Sequence, residues 1–114
     1  MHELSVATAI MESIERKLGG RRELAKIQLT LGPLSCINPD ALRFCLRTMA
    51  ESEGFGEPEL DVREVEARIV CRECGREYSA TEFYIPCPHC GSIAKEILSG
   101  RECNIDFVEL IGDQ

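Results

Sequence analysis

Cys71-Arg72-Glu73-Cys74-Gly75 and Cys87-Pro88-His89-Cys90-Gly91 are two copies of one pattern, with twelve residues between Cys74 and Cys87. In each copy the Cys-x-x-Cys pair can close a tight turn that aims both sulfurs at one point. The glycine after the second cysteine accepts positive φ and lets backbone N–H groups approach the thiolates. Two such turns set face to face would place four thiolates about 2.3 Å from one ion, the closed tetrahedral site of a structural metal. A stretch this short buries too little apolar surface to fold alone, and zinc binding free energies of about 10–16 kcal/mol make good the deficit. The expected ion is zinc, held by Cys71, Cys74, Cys87 and Cys90. Iron in a rubredoxin-like site is the chemical rival, because four thiolates accept either metal. Between the pairs, Tyr78, Phe83, Tyr84 and Ile85 are the apolar groups expected to form a mini-core.

Working outward, Val6, Ile10, Ile14 and Leu18 recur every four residues beside Ala7 and Met11, which predicts an amphipathic helix stopped by Gly19-Gly20. Ile27, Leu29 and Leu31 alternate with Lys26, Gln28 and Thr30, the pattern of a half-buried strand ended by Gly32-Pro33. Asn38-Pro39 reads as an N-cap followed by proline at the first helical position. Leu42, Cys45, Leu46 and Met49 then form the stripe of a second helix, closed by Gly54 and Gly56. From Leu60 the chain alternates again but changes phase: Leu60 and Val62 share one parity, Val65, Ala67 and Ile69 the other. A β-bulge near Arg63-Glu64 would keep both sets on one face. A last strand with a similar irregularity is expected from Ile105 and Phe107, then Val108 and Leu110. The fold class that results is α+β: a small α/β domain of two helices and an about three-stranded mixed sheet, interrupted by a zinc-ribbon-like module that carries the four cysteines. The final strand is expected to return to the first domain's sheet.

Composition sets outer limits. The 114 residues are 44% hydrophobic and 29% charged, a globular balance, and without Trp the core must rest on Leu, Ile, Val and Met. Seven cysteines, an odd count, arranged with two Cys-x-x-Cys pairs favour metal in a reducing compartment over disulfides. No apolar run approaches the roughly 20 residues of a spanning helix, and Met1-His2-Glu3-Leu4 does not begin a signal peptide. A cytoplasmic protein with no membrane partner is the expectation. The net charge of −7 divides into +2 over residues 1–50, −6 over 51–66 and −3 over 67–114. No basic stripe is present to neutralise phosphates, which argues against a nucleic-acid partner. The acidic run from Glu51 to Glu66 reads as a solvated loop and strand face. No Ser–His–Asp set, phosphate loop or paired-acid motif appears, so an enzyme is not expected. His89 is expected to be exposed, and Cys36, Cys45 and Cys103, which lack paired spacing, to be small buried hydrophobes.

One of only two histidines stands at position 2. A free α-amine, the His2 backbone nitrogen and its imidazole can close two fused chelate rings on one ion, and the Glu3 backbone nitrogen can complete a square. Planar nitrogen donors suit Ni(II) or Cu(II). Histidine is too bulky at position 2 for the usual removal of the initiator, so Met1 is expected to remain and carry the amine.

Met1-His2-Glu3 at the start, Leu31-Gly32-Pro33-Leu34-Ser35-Cys36 after the first strand, Phe44 in the second helix, and Cys-x-x-Cys followed by Cys-Pro-x-Cys-Gly occur here in one order along essentially the whole chain. Together they resemble the HypA/HybF family, the nickel-insertion accessory proteins of NiFe hydrogenase maturation. The cysteine spacing alone is shared with many zinc ribbons; joined to Met-His-Glu at residue 1 it is specific. The resemblance implies a nickel metallochaperone whose Met1, His2 and Glu3 bind Ni(II) while the four cysteines hold structural zinc. The cysteine module read above divides the chain into residues 1–69 plus 101–114 and a zinc-binding domain, residues 70–100, and the resemblance makes the first of these the nickel-binding domain. The partners it implies are the nickel-insertion GTPase HypB and the hydrogenase large-subunit precursor, with urease sharing the nickel route in some organisms. Some members carry extra histidines near the zinc cysteines, where this chain has only His89. A zinc-ribbon interaction module or nucleic-acid adaptor, without a nickel role, is the alternative reading. If the α-amine is a ligand, an uncleaved N-terminal tag will weaken nickel binding relative to the untagged chain in a calorimetric titration. Equal affinities would remove the amine from the site.

Overall fold

A computed structural model describes residues 3–112. Helix α1 (Glu3–Leu18) leads to strand β1 (Leu24–Leu31), a 3-10 turn (Pro33–Ser35), helix α2 (Pro39–Ser52) and strand β2 (Glu59–Glu64). Strands β3 (Ala67–Cys71), β4 (Glu77–Ala80), β5 (Lys95–Ser99) and β6 (Cys103–Leu110) follow. Among the described residues no helix is long and apolar enough to cross a membrane.

The six strands form two sheets. In the first, β1 lies between β2, to which it is parallel, and β6, to which it is antiparallel. A parallel neighbour requires a crossover, and α2 supplies it. Each helix begins or ends on the chemistry expected of it. Asn38 caps α2 by accepting from the Ala41 amide at 3.0 Å, ahead of Pro39. Past α1, Gly19 adopts φ 74° and the Gly20 amide reaches back to the Glu15 carbonyl at 3.0 Å. The apolar faces of both helices cover one side of the sheet, where Ile10, Ile14, Leu42 and Leu46 meet Leu24, Ile27 and Leu29. Phe55, in the turn before β2, is fully buried in the same core. The other side of the sheet is polar. There Thr30 donates to Asp106 at 2.7 Å and accepts from Arg63 at 3.3 Å.

The second sheet is antiparallel, ordered β4-β3-β5. This arrangement corrects the bulge expected near Arg63-Glu64. The phase change there marks the passage of the chain from one sheet to the other: β2 ends at Glu64 and β3 begins at Ala67. Val62 therefore faces the first core while Ala67 and Ile69 face a second. The irregularity expected in the last strand is present. Gln28 pairs with Phe107 and Leu29 with Ile105, which leaves Asp106 as an extra residue. Asp106 and Phe107 are consequently both exposed, between half-buried Ile105 and Val108.

The two sheets are tied together where the chain leaves β1 and where it enters β6. The Gly32 amide donates to the Glu102 carbonyl at 2.8 Å and the Leu34 amide to the Gly100 carbonyl at 2.7 Å. Backbones approach so closely that a Cβ on Gly32 would lie 2.2 Å from the Gly100 carbonyl oxygen. The 3-10 turn thereby plants Leu34, only 3% exposed, in the second core beside Ala67, Ile69 and Cys71. Leu34→Ala should cost about 2–5 kcal/mol, as large-to-small changes at buried leucines do. Denaturant unfolding of the zinc-loaded protein checks this; a loss below about 0.5 kcal/mol, the usual scale of a surface change, would show that Leu34 is not a core residue.

Candidate metal centre

Both cysteine turns are built alike. The Cys71 amide donates to the Arg76 carbonyl at 2.9 Å, and the Gly75 amide returns to the Cys71 carbonyl at 2.9 Å. In the second turn the Cys87 amide donates to the Ser92 carbonyl at 2.9 Å and the Gly91 amide to the Cys87 carbonyl at 2.8 Å. Gly75 and Gly91 have φ of 77° and 79°, a conformation that strains residues bearing a side chain. Strand β3 delivers Cys71 to the first turn, and the segment between β4 and β5 carries the second.

The four sulfurs of Cys71, Cys74, Cys87 and Cys90 all lie within 4.8 Å of one another. Cys71 approaches Cys90 at 3.5 Å and Cys74 approaches Cys87 at 3.7 Å, so the short contacts run between the turns. Sulfurs 2.3 Å from a common centre at tetrahedral angles would be about 3.8 Å apart. A disulfide needs about 2.05 Å, so these are thiols converging on a point. The donor set, its spacing and its closure by four protein ligands fit a structural zinc ion. Backbone amides also face the sulfurs: Cys74 N–H donates to Cys71 Sγ at 3.5 Å, and His89 N–H to Cys87 Sγ at 3.4 Å.

These donors shape the acidities. The amide of Cys74 is the main influence holding the Cys71 thiol down at about 6, against the opposing effect of burial. Cys90 is pushed up to about 12; the Ser92 backbone acts to lower it, but the neighbouring Cys71 sulfur and burial prevail. Cys87 is lowered although burial opposes it, because the His89 and Cys90 amides prevail. One proton of the cluster is thus given up readily and another is held tightly.

The apolar support differs from the expected mini-core. Tyr78 is buried, with 8% of its surface exposed, and Ile85 packs at the margin, but Phe83 and Tyr84 are exposed. Leu34, Ala67, Ile69 and Ala80 take their place. Strand alternation selects Tyr78 and Ala80 from β4, and no periodic pattern in the sequence marks Leu34 as part of this core. Phe83 instead lies 5.4 Å under the Arg101 guanidinium, and Lys95 donates to the carbonyls of Phe83 and Ile85. The Tyr78 hydroxyl is buried without a hydrogen-bond partner among the described residues, and burial, followed by the charge of the thiolates, pushes its pKa up. His89 is exposed and contacts Arg76 across the two turns at 3.3 Å. Of the three other cysteines, Cys45 and Cys103 are half-buried. The expectation of burial fails for Cys36, which is exposed in the left-handed conformation, φ 62°, at the end of the 3-10 turn.

Of the expected nickel ligands, Met1 and His2 lie outside the described residues. Glu3 is the first residue of α1, and its carboxylate accepts from the Asn38 amide at 3.1 Å, which ties the head of α1 to the head of α2.

The family model described as hydrogenase/urease nickel incorporation, metallochaperone, HypA, matches residues 1–110, a span that includes both Met1-His2-Glu3 and the four cysteines. This chain belongs to the HypA family. The hydrogenase maturation factor HypA of Geobacter metallireducens is 34% identical over 110 residues, covering 96% of this chain and 99% of its own length. The hydrogenase maturation factor HypA of Chlorobium luteolum is 38% identical over 110 residues, covering 95% and 94%. The solution structure of the Ni metallochaperone HypA from Helicobacter pylori superposes with a TM-score of 0.65 at 20% identity. It covers 99% of this chain and 100% of that one, so the two share a fold from end to end.

Because zinc binds thiolates, proton release on zinc uptake reports which thiols are already ionised. At pH 7 to 8 Cys71 has given up its proton, so uptake should release fewer than four. As pH falls through about 6, the lowered value for Cys71, that thiol regains its proton. Release then rises toward four and affinity drops more steeply with each further pH unit. Zinc titration in lightly buffered solution with a pH indicator checks this; a constant four across the range would show that Cys71 is an ordinary thiol.

Proposed function

We propose that this chain is a nickel metallochaperone that takes up Ni(II) at Met1, His2 and Glu3 and delivers it for hydrogenase maturation. Cys71, Cys74, Cys87 and Cys90 hold a structural zinc ion. The observation that carries the reading is the match of one nickel-incorporation family over residues 1–110, which leaves neither metal motif outside the shared region. The chemistry agrees with it. Amine, amide and imidazole nitrogens suit a square-planar ion, whereas four sulfurs at tetrahedral spacing suit zinc, so one chain keeps two metals apart by donor type and geometry. Glu3 is the first residue of α1, so lending its backbone nitrogen to a metal takes nothing from the helix ladder.

Delivery needs a site that holds an ion tightly and gives it up in one step. A site made of three consecutive residues meets that need, because the ion has to part from one short segment alone. The amine and imidazole must lose protons to bind, so nickel affinity falls as pH drops. The protein is then a carrier and not a catalyst, at work in the cytoplasm. Its partners are the GTPase HypB and the hydrogenase large-subunit precursor, with urease a second destination. Residues 1–69 plus 101–114 serve nickel and residues 70–100 serve zinc.

Metal stoichiometry on untagged protein, wild type against His2→Ala, tests this division. One zinc in both chains, with one nickel taken up by wild type alone, is the expected result. Equal nickel uptake by the two would overturn the assignment of His2, and loss of zinc in His2→Ala would overturn the separation of the sites.

A further inference from the structure

Tyr78 stands on β4 directly across from Ile69 of β3, on the face that also carries Cys71. Its ring lies in the same apolar cluster as Cys71 and Cys87, and its hydroxyl is buried with no partner among the described residues. Native interiors seldom tolerate this, because a buried O–H without an acceptor loses its hydration for no return. Phenylalanine would fill the same space without that cost. The residues that surround Tyr78 in the cluster are Leu34, Ala67, Ile69 and Ala80, none of which brings a side-chain acceptor. The cysteine sulfurs do, and Cys87 is the one whose charge bears most strongly on the phenol.

We propose that the Tyr78 hydroxyl is an outer donor to the zinc-bound thiolates, serving Cys87 Sγ, and so a positioning residue of the metal centre. The inference rests on reading the four cysteines as the zinc site. Its physical basis is the change in acceptor strength when metal binds. The sulfurs sit in close pairs, Cys71 with Cys90 and Cys74 with Cys87, each able to share a proton across 3.5 and 3.7 Å. Zinc displaces those protons and turns every sulfur into a thiolate. Cys87 is already faced by the backbone amides of His89 and Cys90, and a metal-bound thiolate keeps lone-pair density for a further outer donor. An O–H kept in apolar surroundings is then the donor at hand. Drawing charge from Cys87, it lowers the basicity of that sulfur and slows its protonation and its release from the metal. Outer-sphere hydrogen bonds commonly tune metal ligands in this way.

The test compares wild type with Tyr78→Phe, both as full chains loaded with cobalt in place of zinc and, separately, with zinc itself. Loss of the donor should move the thiolate-to-cobalt charge-transfer band to longer wavelength. It should also speed acid-induced loss of zinc about fivefold, the effect of one net hydrogen bond. A purely packing role for the ring would change neither, so an unmoved band with an unchanged loss rate overturns the proposal. A second measurement needs no substitution. In wild type loaded with ¹¹³Cd, the Tyr78 hydroxyl proton should exchange slowly with solvent and couple to the metal through Cys87; a fast-exchanging, uncoupled hydroxyl also overturns it. If wild type instead gives no tetrahedral thiolate spectrum with cobalt, the zinc reading itself fails, an outcome separate from an inert Tyr78.

Discussion

Four sulfurs have to meet at one point, and the second half of the chain is arranged to let them. Strands β3, β4 and β5 are only four or five residues long, and the core they enclose contains seven buried residues, two of them the cysteines Cys71 and Cys87. A sheet that small does not bury enough apolar surface to hold itself together. An ion held by the four sulfurs would join the end of β3 to the turn before β5 and so close the unit. The turns that present the sulfurs depend on Gly75 and Gly91, whose positive φ returns each backbone to its first cysteine.

The first half obeys an ordinary hydrophobic constraint. Two amphipathic helices cover one side of a three-stranded sheet, and the parallel pairing of β1 with β2 follows from the α2 crossover. What joins the halves is backbone more than side chain. Gly32 and Gly100 approach so closely that no other residue fits at Gly32 without displacing the Gly100 backbone. The turn that follows carries Leu34 into the zinc-side core and then leads to Asn38, whose amide meets the Glu3 carboxylate. A single short stretch, 32–38, therefore touches both the module that carries the cysteines and the helix that carries the proposed nickel terminus.

Reading the chain residue by residue recovers most of these elements, for a physical reason in each case. The two helices and β1 show themselves because a buried stripe repeats with the period of its own element. The cysteine turns show themselves because metal geometry dictates spacing and glycine. One misreading arises where two cores compete for one run of residues, and the others where a turn or loop overrides side-chain type. The parity change after Val62 is the same in a bulged strand as in two strands facing different cores, and only the placement of Ala67 and Ile69 decides between them. Phe83 and Tyr84 are apolar in a short segment, yet that segment is a loop held by Lys95, so neither ring is drawn inward. Cys36 sits at a turn whose left-handed backbone points it to solvent.

By itself the sequence determined the donor chemistry and the local geometry: four thiolates in two glycine-closed turns, and helices and strands with their buried faces. These follow from side-chain type and near-neighbour spacing, which are local properties of a chain. Only the tertiary structure decided which sheet each strand joins, that Leu34 and Phe55 belong to cores, and that Tyr78 is buried in the core that carries Cys71 and Cys87, its hydroxyl without an acceptor among the described residues. Those facts depend on contacts between residues far apart in the chain, and such contacts leave no periodic trace in the sequence.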